Sequence, residues 1–70
     1  MAYRVERFSH SFRQTPSAPR QLVWETELTE TFKGLAIAAA QTFDFYNPDV
    51  VYRVVDVWDG KVVYQTKDLS

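Results

Sequence analysis

The sequence contains no cysteine, one histidine, three prolines and two glycines in 70 residues. Without cysteine, no disulfide can crosslink the chain and no thiolate can bind a structural zinc ion. The two glycines, Gly34 and Gly60, are too far apart to form a glycine-rich phosphate loop. We therefore expect no metal and no cofactor, and a domain whose stability depends on packing alone.

Strong net charge and long apolar runs are also missing. Eight basic and nine acidic residues give a net charge of −1, so no overall field attracts nucleic acid or a membrane surface. The longest apolar run, residues 35–40, is far shorter than the roughly 20 residues of a membrane helix. The charged N-terminal residues Arg4, Glu6 and Arg7 are followed by no apolar core, so the segment does not resemble a signal peptide. We expect a cytoplasmic protein, of a bacterium or of an infected host cell, with no membrane segment.

Groups for enzymatic chemistry are scarce. His10 is the single histidine, and its neighbour Ser9 would point to the opposite face of a strand, out of reach for a nucleophile–base pair. Among the nine carboxylates, Glu25 and Glu27 share one face of a predicted strand, where solvent rather than a cleft would surround them. The sequence thus predicts no catalytic residue, and a protein that is not an enzyme.

Apolar residues, in contrast, are plentiful: 46% of the chain is hydrophobic and 16% is aromatic. This composition is enough for one small core, so we predict a single domain over residues 1–70. A chain this short buries only about 60% of the surface of its unfolded state. Formation of a homodimer would add buried surface.

The strongest structural signal is VVYRVVDVWDGKVVYQT at residues 50–66, where two β-rich runs flank Asp59-Gly60. Asp-Gly favours a tight hairpin turn because these two residues adopt positive φ at little cost. The sequence predicts a β-hairpin here, with two alternatives for its register.

A two-residue turn would place Trp58 opposite Lys61, whereas a three-residue turn with a bulge at Gly60 would place Val57 opposite Lys61. A one-residue change exchanges the buried and exposed faces. We favour the three-residue turn, because it puts Arg53, Lys61 and Gln65 on the solvent side. In that register one face holds Tyr52, Val54, Val62 and Tyr64, and the other holds Arg53, Val55, Val57 and Val63.

In chain order, the pattern predicts strands over about 2–12 and 21–27, a helix over about 30–47, and strands over about 50–57 and 61–67. A bulge near Arg7 would restore the alternation of the first strand. Thr29 or Thr31 can cap the helix, and Asn47-Pro48 ends it. We predict an α+β domain in which one helix packs on one face of a four-stranded antiparallel sheet.

Apolar residues at helical spacing define the face of the helix that is expected to be buried: Leu28, Phe32, Leu35, Ala36, Ala39, Phe43 and Tyr46. The whole predicted core comprises Tyr3 or Val5, Leu22, Trp24, Phe32, Leu35, Ala36, Ala39, Phe43, Val54, Val62 and Tyr64.

Two surfaces are candidates for binding another protein. The first lies on the outside of the helix and consists of Gly34, Ile37, Ala38, Gln41 and Phe45. The second lies on the outside of the sheet and consists of Arg53, Val55, Trp58 and Val63. The helix surface is nearly uncharged, which suits docking on a partner protein or on a second copy of the chain. The alternatives are that the loop at 13–20 or the C-terminus covers it, or that its apolar residues are simply exposed. We predict a small protein-binding module, an adaptor or inhibitor of the kind that phages and mobile elements encode.

The alternative function is nucleic-acid binding through the basic and aromatic N-terminal segment. Its arginines are Arg4, Arg7, Arg13 and Arg20, and Glu6 is its single acid. Arginines contact phosphates and exposed aromatic rings stack on bases. However, Glu25, Glu27 and Glu30 follow closely and would repel a nucleic-acid backbone. Arg4 or Arg7 could instead pair with Glu25 or Glu27 across the first hairpin.

Overall fold

The computed structural model describes residues 2–10 and 22–67. Its elements are β1 (Tyr3–His10), β2 (Leu22–Glu30), α1 (Lys33–Tyr46), β3 (Tyr52–Asp56) and β4 (Val62–Gln65). The strands form one antiparallel sheet in the order β2-β1-β3-β4. The predicted α+β fold, a four-stranded antiparallel sheet with one helix packed on it, is confirmed. The predicted loop at 13–20 lies outside the described residues.

Strand β1 is central, with β2 on one side and β3 on the other. Val5 pairs with Leu28 of β2 and with Val54 of β3. Since β2 and β3 are both antiparallel to β1, they run parallel to each other, and α1 connects them by crossing over β1. This connection places the helix above the middle of the sheet.

The helix starts later than predicted. Strand β2 continues to Glu30 through its pairing with β1, so Thr29 lies in the sheet opposite Arg4 and does not cap the helix. Thr31 does not cap it either: the residue before the helix is Phe32, in an extended conformation, and its phenyl group offers no hydrogen-bond acceptor. Both predicted caps were therefore wrong. For Thr29 the reason is that its pairing with Arg4 keeps it in the sheet.

The helix ends as predicted before Asn47-Pro48. The last helical residue is Tyr46, and the backbone N–H of Asn47 donates to the carbonyl oxygen of Phe43 at 2.8 Å. The side-chain amide of Asn47 donates to the same oxygen at 3.3 Å. The Phe43 carbonyl group therefore accepts the last regular helical bond and a second bond from the Asn47 side chain, and the two together close the final turn.

The core lies between α1 and the sheet. Its buried residues are Val5, Ala36, Ala40, Tyr52 and Val54, and residues packed around them include Tyr3, Leu28, Ile37, Ala39, Phe43 and Tyr64. The rings of Phe43 and Tyr52 stack with their centroids 5.3 Å apart. Two alanines one helical turn apart, both fully buried, let the helix backbone approach the valines of β1 and β3.

The rotation of the helix about its axis differs from the prediction. Phe32 and Leu35, predicted as core, are 66% and 54% exposed. Ile37, predicted on the outside, packs against the core, and Ala40 is buried. The periodicity misled because α1 carries apolar residues on all sides, so hydrophobicity alone does not fix which side faces the sheet.

Other core assignments in the sheet were right in part. Val5 and Val54 are buried, and Tyr3 and Tyr64 pack against the core. Val62 is 46% exposed, so its assignment was wrong. Trp24 is half-buried, but it pairs with Phe8 on the face of the sheet that does not carry the helix. The side chain of Leu22 lies outside the described part of the chain.

The irregularity between β1 and β2 is not the bulge predicted near Arg7. Val5 pairs with Leu28 and Glu6 pairs with Thr26, so the additional residue is Glu27 of β2. The bulge thus lies on an edge strand, the usual place for one.

The β3–β4 hairpin has a longer turn than either predicted register. Asp56 lies opposite Lys61 and donates its N–H to the Lys61 carbonyl oxygen at 2.9 Å, and the N–H of Gly60 donates to the Asp56 carbonyl oxygen at 2.8 Å. The carboxylates of Asp56 and Asp59 accept the N–H groups of Trp58 and Lys61, each at 2.9 Å. These Asx bonds stabilise a loop over residues 57–60.

A bulge at Val63 then restores part of the favoured register. Val55 pairs with Val62 and Val54 pairs with Tyr64, leaving Val63 between them. Val54 and Tyr64 share a face as predicted, whereas Val62 joins Val55 on the opposite face. The longer turn shifts the strand pairing by one residue, and the bulge at Val63 shifts it back, so Val54 pairs with Tyr64 as in the favoured register.

The turn requires a glycine at position 60, where φ is +73°. We expect Gly60→Ala to lower the free energy of unfolding by about 1–2 kcal/mol, because a side chain strains the left-handed region. Gly60→Asn is the matched control and should lose less, since asparagine tolerates this conformation. Urea denaturation measures both variants, and equal stability of Gly60→Ala and the wild type would contradict the requirement.

Candidate binding surfaces

Large apolar side chains are exposed along the outside of α1. Phe32, Leu35, Phe45 and Tyr46 are 66%, 54%, 78% and 72% exposed. We call this surface the outer helix face and define it by exposed residues: Phe32, Gly34, Leu35, Ala38, Gln41, Thr42, Phe45 and Tyr46. Leu35, Ala38, Thr42 and Phe45 recur at helical spacing and form its central stripe.

The residues of the outer helix face include no Asp, Glu, Lys, Arg or His. Lys33, which is also exposed, lies between Phe32 and Gly34 in the first turn, and Asp44 is half-buried beside the face. The ammonium group of Lys67, at the end of the hairpin, lies 3.2 Å from the Asp44 carboxylate and donates to the carbonyl oxygen of Pro48. The helix's acid therefore faces the hairpin.

Polar groups on the outer helix face are few and partly satisfied. The hydroxyl of Thr42 donates to the carbonyl oxygen of Ala38 at 2.9 Å, so it needs no water. The rings of Phe45 and Tyr46 meet edge to face with centroids 5.3 Å apart. Extended apolar surface that is exposed on a small domain is one mark of an interaction site.

Four of the five helix residues proposed from sequence lie on the outer helix face: Gly34, Ala38, Gln41 and Phe45. Ile37 turns inward instead. The predicted buried face of the helix wrongly included Phe32, Leu35 and Tyr46, which are exposed. The signal that could have found them is the pair Ala36 and Ala40, whose small side chains suit a close contact between helix and sheet.

The second predicted surface, on the outside of the sheet, is not the apolar patch that was expected. Val55 is only 3% exposed, because it lies between Arg4 of β1 and Val62 of β4. Val63 is half-buried and packs against the core. Only Trp58 is prominently exposed, at 83%, and it belongs to the hairpin loop.

Arg53, the remaining member of that surface, is part of an internal network. Its Nε lies 2.7 Å from Glu6 Oε1, and Arg4 Nε lies 3.4 Å from Glu6 Oε2. The guanidinium carbon of Arg53 lies 3.9 Å from the ring centroid of Trp24, which meets Phe8 edge to face at 5.1 Å. Glu6 is 6% exposed, so the network serves to neutralise a buried carboxylate.

The arginines of the nucleic-acid alternative are also paired where the structure describes them. Arg4 contacts Glu6 as above, and Arg7 Nη1 lies 3.8 Å from Glu27 Oε1. The predicted ion pair between Arg7 and the acids of β2 is confirmed. Arg13 and Arg20 lie outside the described residues.

Within residues 2–10 and 22–67, no three acidic or histidine side chains come together in a way that could hold a metal ion. The same residues contain no helix with the length and hydrophobicity needed to traverse a bilayer.

Comparison with models of protein families, with curated proteins and with solved structures gives no match for this chain. Its function must therefore be inferred from its own surfaces.

Proposed function

We propose that this chain is a small non-enzymatic protein-binding module, an adaptor or inhibitor that covers a surface of a partner protein with its outer helix face. The observation that supports this is the exposure of four large apolar side chains, Phe32, Leu35, Phe45 and Tyr46, at 54% to 78% on an uncharged face.

The energetics favour transient rather than permanent binding. Full burial of one large apolar side chain contributes about 1.5–3 kcal/mol, so these four would contribute roughly 6–12 kcal/mol before costs. Association opposes this with about 4–15 kcal/mol of lost freedom. The most favourable balance of these ranges is about 8 kcal/mol, which corresponds to a dissociation constant of about 1 μM, so we expect micromolar or weaker binding.

The hairpin loop is placed to extend this surface. Tyr3 pairs with Glu30 of β2 on one side and with Asp56 of β3 on the other. The start of α1 and the loop after β3 therefore lie at the same end of the sheet. Trp58, exposed on that loop, would provide an aromatic anchor of the kind enriched at protein interfaces.

Phe45→Glu tests the outer helix face. A tagged chain would be incubated with lysate of the organism that encodes it, and the proteins recovered would be quantified by mass spectrometry. We expect the variant to recover the specific partner at least ten-fold less than the wild type, because a carboxylate buried in an apolar contact lacks a counter-charge.

The matched control is Val62→Glu, which introduces the same charge at a 46% exposed valine on β4. It should recover the partner as the wild type does, and circular dichroism should show that both variants fold. Equal recovery by Phe45→Glu and the wild type would rule out the outer helix face. Recovery that depends on nucleic acid, and is lost after nuclease treatment or at high salt, would instead favour the nucleic-acid alternative.

A further inference from the structure

Gly34 on the outer helix face is not required by the single chain. A Cβ added at this position meets no atom within 4 Å, and, among the described glycines, positive φ occurs at Gly60. Glycine is a poorer helix former than alanine at an exposed position. A group from outside the chain that packs on the bare backbone would explain why glycine is present here.

The outer helix face is divided into a half with small side chains and a half with large ones. In the N-terminal half, Gly34 and Ala38 are small, and Leu35 is the large side chain that projects. In the C-terminal half, the large rings of Phe45 and Tyr46 project and contact each other. A partner with a complementary shape needs large side chains opposite Gly34 and Ala38, and small side chains opposite Phe45 and Tyr46.

A second copy of the same face, turned around, has that shape. The stripe of Leu35, Ala38, Thr42 and Phe45 has spacings of three, four and three residues, which read the same in both directions. Two antiparallel α1 helices related by a two-fold axis near residue 40 would set Leu35 level with Phe45 and Ala38 level with Thr42, and would bring the Phe45 ring of one copy beside the bare backbone at Gly34 of the other. A parallel pair would set the aromatic rings against each other and leave a gap at Gly34.

Charge points to the same occupant. Across a two-fold axis the same surface of the two copies meets, so a surface with a net charge would repel its own copy. The outer helix face contains no Asp, Glu, Lys, Arg or His, so it meets itself without charge repulsion, and antiparallel helices also oppose their dipoles favourably.

The buried area is sufficient for a weak dimer. Aromatic side chains bury about 150–250 Å² each. With the exposures given above, Phe32, Leu35, Phe45 and Tyr46 would bury roughly 500 Å² per copy, or about 1,000 Å² in total, near the lower limit for a specific interface. Within the described residues, the largest fully buried side chains of the single chain are valines, Val5 and Val54, so this area is a substantial addition to a small core.

From these observations we infer that the outer helix face docks on a second copy of the chain, with the two α1 helices antiparallel across a two-fold axis. The inference rests on the proposed function, because it names the partner of the same surface.

Sedimentation velocity over a range of concentrations tests the dimer. We expect the mass of the wild type to rise from 8.2 kDa to twice that value. Leu35→Lys and Phe45→Glu should each weaken dimerisation at least ten-fold, and the Val62→Glu control should dimerise as the wild type does. Mixing the two weakened variants should restore a dimer, because residue 35 of one copy faces residue 45 of the other.

Gly34→Leu separates the interface from the stability of the chain. It should raise the melting temperature measured at concentrations where the chain is monomeric, since leucine is the better helix former. It should also weaken dimerisation at least ten-fold, because the added side chain occupies the position of the Phe45 ring of the other copy. A higher melting temperature with unchanged dimerisation would overturn the inference.

Other outcomes separate the inference from the proposed function. A chain that stays monomeric up to millimolar concentration, yet recovers another protein in a manner that depends on Phe45, overturns the inference and leaves the proposed function standing. A dimer that tolerates both Leu35→Lys and Phe45→Glu overturns it as well, since its contact lies elsewhere. A monomer that recovers no protein through Phe45 overturns both.

Discussion

Glu6→Gln is expected to lower the free energy of unfolding by about 2–3 kcal/mol, because it leaves two guanidinium groups beside a buried position without their carboxylate. The Glu6 side chain is 8% exposed, and Arg53 and Arg4 are 24% and 41% exposed. Breaking a fully buried ion pair costs about 3–5 kcal/mol, and the partial exposure of the arginines reduces this loss. A domain of this length has a total stability of roughly 4–10 kcal/mol, so the variant should lose a large part of it.

Glu27→Gln is the matched control, since it removes the same charge from an ion pair in the same sheet. Its partner atom on Arg7 is 3.8 Å away, and the two side chains are 32% and 46% exposed. Exposed pairs contribute about 0–1 kcal/mol, so the control should unfold close to the wild type. Urea titrations of the three proteins under identical buffer conditions measure the difference, and equal losses for the two variants would show that Glu6 is not specially placed.

The network around Glu6 shows which part of the fold could not be read from the sequence. Charged residues are seldom buried, so nothing local marks Glu6 as an interior carboxylate. Its partner Arg53 is 47 positions away in the chain, and only the pairing of β1 with β3 brings them together. Because this pairing is non-local, Arg53 and Val55 were read as members of a solvent-facing surface, although one is held by Glu6 and the other is buried.

Local signals, in contrast, predicted the elements correctly. Asp59-Gly60 with β-rich flanks predicted the hairpin, and Asn47-Pro48 predicted the end of the helix, because turn geometry and the missing proline N–H depend on neighbouring residues alone. The turn length was wrong because the carboxylates of Asp56 and Asp59 bind backbone N–H groups within the loop. The length of the turn therefore depends on these side-chain hydrogen bonds, which the hydrophobic periodicity of the strands does not describe.

The candidate binding surface was predicted from the sequence only in part. Gly34, Ala38, Gln41 and Phe45 were placed on the outside from sequence, because they lie opposite the predicted buried stripe of the helix. Phe32, Leu35 and Tyr46 were assigned to that buried stripe, because large apolar residues on every side of α1 leave its rotation undetermined. The contact of Ala36 and Ala40 with the sheet decides the rotation.

Ala40→Leu tests that rotation and is expected to lower the free energy of unfolding by about 2–3 kcal/mol. Ala40 is fully buried against a core that contains Val5, Tyr52 and Val54. Three additional carbon atoms at this contact would push the helix away from the sheet or force side chains out of their preferred rotamers, which typically costs about 1–3 kcal/mol.

The matched control, Ala38→Leu, makes the same chemical change two residues earlier on the exposed side of the helix. At concentrations where the chain is monomeric it should leave the free energy of unfolding within about 0.5 kcal/mol of the wild type. Urea denaturation at low protein concentration measures both variants. The opposite order of losses would place Ala38 towards the sheet and Ala40 towards solvent, and the outer helix face would then not exist. With the expected order, Leu35, Thr42 and Phe45, which share the side of Ala38, are confirmed as the part of the helix that is free to meet another molecule.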